Sequence, residues 1–233
     1  MTIDDRLIYR LVLAIDIEGF SRRNAEQQQR AQADLCSALD SAAARAGLDR
    51  GLWHRQDRGD GELAVLPEGI DIPRVVGDLV HGLESALGKL NRRRDHHSLR
   101  VRLALHHGTL TDGHLGPVGD APIMASRLVD VEAGRRHLRT HPERDITVIV
   151  SGSLYHDVIS TGFCPMDPAD FEAFRVVIKD IPYDGYLYPK QPAGTNGTDR
   201  PFWRPHHPRH VPRIKPGARF ARTTTFRHRP GPA

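Results

Sequence analysis

Only two cysteines occur in the 233 residues, Cys36 and Cys164. That is too few for a disulfide scaffold or a four-thiolate metal site, and a reducing cytoplasmic setting is the expectation. Long apolar runs are equally scarce. The longest, Leu11 to Ile15, is far short of the roughly 20 residues of a membrane helix, so no membrane partner is expected. The opening MTIDDRLIYR places acids first and has no apolar segment behind a basic start, so no signal peptide is read. Acids are almost missing from the other end. From Gln191 to Ala233 nine lysines and arginines face a single acid, Asp199, which puts +8 on that stretch. The whole chain is +4, so residues 1–190 carry −4. A basic balance usually suggests a polyanionic partner; here it belongs to the last fifth of the chain.

What is present falls into ordered patterns. Leu7 to Ile15 is apolar except for Arg10 and fits a strand buried on both faces, with a helix as the alternative. Ser21 is a plausible cap for a long helix through about Ala46, with Ala31, Leu35, Leu39 and Ala42 at helical spacing. Leu52–Arg58 and Glu62–Leu66 flank Gly59-Asp60-Gly61 and read as a hairpin. Val76, Val80, Leu83, Leu87 and Leu90 predict an amphipathic helix entered through Pro73. Arg100 to His106 alternates like a half-buried strand. A Gly/Pro-rich loop over 108–122 then leads to a helix over Met124–Val131, a strand over Ile146–Val150, and a β pair from Arg175–Lys179 and Tyr186–Tyr188. The order β-α-β-β-α-β with α and β elements behind it predicts a ferredoxin-like α+β domain over residues 1–190. Eight of the 17 prolines lie in 191–233 among arginine, histidine and threonine, which predicts a disordered basic tail.

Three segments carry chemistry. Asp16-Ile17-Glu18-Gly19-Phe20 ends the first strand with a carboxylate beside a glycine turn, suited to a divalent cation and a phosphate and equally to an ordinary strand-end turn. Asp60 sits in the hairpin turn, where Gly-Asp-Gly is also common turn chemistry. In a βαββ arrangement the two carboxylates are neighbours and could converge on one metal pair. Arg127 follows a glycine loop within the third predicted helix, where it could stabilise a transferring phosphoryl group or lie on the surface.

Taken in order, Asp-Ile-x-Gly-Phe, Gly-Asp-Gly, Leu-His-His-Gly (105–108) and Val-Gly-Asp-Ala…Ala-Ser-Arg resemble the class III nucleotidyl cyclase catalytic domain. The resemblance spans about Leu7 to Pro189. It implies a homodimer with shared active sites and a nucleoside triphosphate substrate. Asp16 and Asp60 would bind two Mn²⁺ or Mg²⁺ ions, with the Ile17 carbonyl as a further ligand, and Gly19 and Phe20 would lie at the phosphates. Arg127 would act from the partner subunit, and Lys179 would contact the triphosphate.

The departures are informative. The family's purine-reading lysine and aspartate fall here on Gln56 and Gly116, and its asparagine four residues before the arginine is Ile123. A compact domain with these exchanges resembles the bacterial pyrimidine cyclases of anti-phage defence, which make cyclic UMP or cyclic CMP. Gln56 offers both donor and acceptor to uracil or cytosine, and Trp53 could fill volume that a purine would take, or simply be core. Fourteen histidines invite a zinc reading, but adjacent histidines on a strand point to opposite faces and no further ligand completes a set. Phe202, Trp203, Phe220 and Phe226 among the tail's arginines suit single-stranded nucleic acid; a solubilising extension is the favoured reading.

Overall fold

The computed structural model describes residues 6–93, 98–178 and 180–189. The predicted tail, Lys179 and the His96-His97 pair lie outside the described residues. The first strand, β1 (Ile8–Ile17), is flanked by two antiparallel neighbours: β3 (Gly61–Val65) and β4 (Val101–Leu110). β2 (His54–Asp57) pairs with β3 at one edge. On the other side β5 (Ile146–Ser151) runs parallel to β4, and the hairpin β6 (Glu172–Ile178) and β7 (Ile181–Tyr188) completes the sheet. The seven-stranded order is β2-β3-β1-β4-β5-β7-β6, which contains the predicted ferredoxin-like βαββαβ unit.

Alternation along β1 explains why it is apolar throughout. Leu11, Leu13, Ile15 and Ile17 enter a core shared with α1 (Ala25–Arg45) and α2 (Ile72–Arg92). Val12 and Ala14 enter a second core that includes Ala121, Ala125 and Leu128 of α3 (Asp120–Val129). The sheet is therefore covered on both faces. α2 is as expected: Asp71 caps it, Pro73 sits in its first turn, and Val76, Val80, Leu83 and Leu87 are buried.

Three expectations are corrected. Ser21 is not the cap of α1 but lies in a 3₁₀ turn, Phe20–Arg22. The cap is Asn24, whose side chain accepts from the Gln27 N–H while Gln27 reaches back to the Asn24 N–H, a complete capping box. β4 is buried on both faces and runs on to Leu110, because Ala104 and Leu110 pack into the α3-side core. A Thr111–Val118 bridge then ties off the predicted loop. The helix expected over Met124–Val131 starts at Asp120 and stops at Val129. Val131 is extended, and a separate helix, α4 (Glu132–Thr140), follows. A short α5 (Gly152–Asp157), capped by the Ser151 hydroxyl, was also not anticipated.

Candidate active site

Asp16 lies in the middle of the sheet, opposite Gly61 on β3 and Arg102 on β4. It is 8% exposed. Its Oδ2 accepts from the Arg102 guanidinium at 2.5 Å, while its Oδ1 is buried with no partner. Burial raises the Asp16 carboxyl to about 6; Arg102 opposes the rise, and the charges of Asp60 and Asp130 add to it. A buried carboxylate with one oxygen paired and the other orphaned, beside a second carboxylate, is a site short of positive charge.

Asp60 is brought there by the β2–β3 turn. Gly59 is left-handed (φ 80°), and the Arg58 N–H donates to the Gly61 carbonyl at 2.9 Å. Gly61 must be glycine: a Cβ there would fall 1.8 Å from the Ile15 carbonyl oxygen. The Ile17 N–H donates to the Asp60 carbonyl at 2.8 Å, which locks the turn onto the end of β1. Ile17, Gly19, Phe20 and Asp60 consequently border one cavity of about 370 Å³. Gly19 takes φ 66° and opens the turn at Phe20, where leading N–H groups have no acceptor within the turn.

Among the described residues no group of three or more His, Cys, Asp or Glu could hold a metal. The protein's own donors here are oxygens, the orphaned Asp16 carboxylate and that of Asp60. Their hardness fits Mg²⁺ or Mn²⁺, ions that routinely complete their shells with water and substrate phosphates.

Gln56 and Gly116 are far apart in sequence but adjacent in the structure. A Cβ on Gly116 would lie 3.6 Å from the Gln56 carboxamide oxygen. The two positions that the resemblance assigns to base reading thus face each other across a loop and an exposed edge strand. Trp53 does not join them. It is 5% exposed, and its ring packs in the core beneath α1 and α2.

Arg127 also stands apart. Its guanidinium hydrogen-bonds the Tyr183 hydroxyl on β7 and lies 5.7 Å from that ring's centroid. It borders a cavity with Asp130, Val176 and Ile178, not the one bordered by Asp60. Two residues at the site escaped the sequence reading. Arg102 shares its strand face with Asp16 only through the β1–β4 register. Arg58 ties the hairpin to α3 by donating to the Ser126 hydroxyl at 2.5 Å.

This arrangement has close relatives in shape. A guanylyl cyclase structure superposes with a TM-score of 0.60 at 15% identity, covering 84% of this chain and 98% of that one. The adenylate/guanylate cyclase/hydrolase from Silicibacter pomeroyi gives 0.57 at 17%, covering 78% and 97%. The guanylate cyclase domain of RhGC from Catenaria anguillulae, in complex with GTP, gives 0.52 at 18%, covering 80% and 100%. The chain has the nucleotide cyclase fold. No protein-family model and no curated protein matches its sequence. In that cyclase fold Asp16, Asp60 and Gln56 occupy the ends and edge of the first βαββ unit, while Arg127 sits on α3. No described helix is long and apolar enough to cross a membrane.

Proposed function

We propose that the protein is a pyrimidine nucleotide cyclase. It converts UTP, or CTP, to the 3′,5′-cyclic monophosphate and diphosphate. The observation that carries the reading is the orphaned Asp16 Oδ1 beside Asp60, on a fold whose relatives are described as nucleotide cyclases.

Asp16, Asp60 and the Ile17 carbonyl would hold the two divalent ions. Bound there, the ions supply Lewis acidity toward the 3′-hydroxyl and the phosphates. The chain's own groups do the rest. Arg102 fixes the Asp16 carboxylate and leaves one oxygen free. The Gly19–Phe20 turn receives the phosphates. Gln56 can both donate to and accept from the base edge, and Gly116 leaves room beside it. The 3′-hydroxyl gives up its proton to solvent as its oxygen forms the bond to the α-phosphorus, the bond to the α,β-bridging oxygen breaks, and diphosphate leaves with that electron pair. Arg127 of a second copy steadies the charge on the α-phosphoryl oxygens, a reading supported by its bordering a different cavity from Asp60 within one chain. The active form is then a homodimer with shared sites. The resemblance to anti-phage cyclases gives the product its expected use as a second messenger.

Incubating the purified protein with each of ATP, GTP, CTP and UTP and Mn²⁺ tests this. Cyclic product from UTP or CTP is expected. A preference for ATP or GTP returns the purine reading, and nucleotide-dependent thermal stabilisation without turnover makes the chain a sensing module.

A further inference from the structure

The cavity beside Asp60 continues past the Gly19 turn into a second one of about 340 Å³. Gly19, Ser21, Arg102 and Arg135 border both, and Arg22 and Arg139 border the second. Arginines thus predominate around the space beside Asp60; Glu18, which also borders the second cavity, is paired with Arg100 at 2.8 Å. Two of the arginines there are already engaged: Arg102 on buried Asp16, and Arg58 on Ser126. The α4 pair is differently placed. The Arg135 and Arg139 side chains are 43% and 57% exposed, and each is paired with a still more exposed carboxylate, Asp130 at 2.7 Å and Glu132 at 2.5 Å. Ion pairs this open to water contribute little and exchange readily for a stronger anion. Their spacing of four puts both on one face of α4. A guanidinium fork also matches two phosphate oxygens at once.

We infer that Arg135 and Arg139 of α4 bind the terminal phosphates of the substrate, in the same chain that carries Asp16 and Asp60. This deepens the cyclase reading and rests on it. The two arginines hold the β- and γ-phosphoryl groups in the ground state and the diphosphate as it departs. They also give the site an anion grip of its own, independent of the late-strand lysine that the resemblance suggested.

The test uses the full chain and inorganic tripolyphosphate with Mg²⁺, followed by titration calorimetry, so that binding is read without turnover. Arg135→Ala and Arg139→Ala should each weaken tripolyphosphate about tenfold, the order of one charge-assisted hydrogen-bonded contact. The double variant should weaken it further, and KM for the nucleotide should rise in parallel. Arg136→Ala is the control, removing the same charge from an exposed position of α4 that borders neither cavity. Unchanged affinity in the double variant overturns the assignment even if the protein makes cyclic nucleotide. An equal loss in Arg136→Ala overturns it too, because only net charge would then be at work. If the wild-type protein makes no cyclic nucleotide but loses tripolyphosphate with Arg135 and Arg139, the assignment stands and the cyclase reading falls.

Discussion

Asp16 shows how much a single position carries. Its type and place at the end of an apolar strand were legible in the sequence; its partner was not. Arg102 becomes a neighbour only when β1 and β4 pair in register, and no local pattern fixes that register. Gly61 is the converse case, because its neighbour is backbone and the turn announces it. Gly61→Ala would drive a Cβ into the Ile15 carbonyl and should cost at least about 3 kcal/mol. Gly59→Ala meets no atom and should cost only about 1–2 kcal/mol for its left-handed backbone. Urea denaturation of the two variants separates them. Histidine gives the residue-scale pH dependence. Burial, aided by His107, lowers His106 to about 4, against the pull of Asp120. Burial and His141 likewise lower His137 to about 4, partly offset by its bond to the Pro189 carbonyl. Between about pH 6.5 and 4 the unfolded chain therefore binds protons that the folded chain refuses, and stability falls as pH falls through that window. Asp16, raised to about 6, works in the opposite direction over a similar range. Two histidines against one aspartate leave a net loss on the order of a few kcal/mol by pH 4. The slope should flatten in His137→Leu.

Among the elements, those with a strong local signal were legible: β1 by its unbroken apolar run, the β2–β3 hairpin by its Gly-Asp-Gly turn and α2 by its helical apolar period. α4 was not, because its buried face is Gly134, His137 and Leu138, and only one of those three is a large apolar residue. His137 is held there by Thr147 on β5 at 2.6 Å and by the Pro189 carbonyl at 2.9 Å, partners that exist only after folding. The start of α1 is ambiguous in the sequence for a related reason. Ser21 and Asn24 are both acceptable caps by type. The reciprocal Gln27 bond decides for Asn24, and the Phe20–Arg22 turn takes Ser21 out of contention. Asn24→Ala should lower stability by about 1 kcal/mol, a shift of about 3 °C in Tm for a domain of this size, whereas Ser21→Ala should leave Tm unchanged. Thermal unfolding of both variants checks this. Trp53 belongs to the same lesson: its place next to an exposed strand concealed a ring that serves the core.

At the scale of the whole molecule, the positive charge that first suggests nucleic acid lies in the tail, beyond the described residues. The acidic body carries the candidate site. One chain lines two adjoining cavities with Asp60, Arg102 and the α4 arginines and turns Arg127 toward another. Near Arg127, Ile123 one turn earlier on α3 and Ile181 on the same strand face as Tyr183 are 47% and 49% exposed, apolar surface suited to a second copy. The proposed cyclase site joins the Asp16–Asp60 pair of one copy to Arg127 of another. Mixing two variants tests it most directly. Asp60→Ala and Arg127→Ala should each be inactive alone toward UTP and CTP with Mn²⁺. After equal mixing and subunit exchange, half of the dimers are mixed and each of these keeps one intact site, so activity should return to about a quarter of wild type. Wild-type turnover by either variant alone, or no recovery in a mixture shown to contain mixed dimers, would contradict the account.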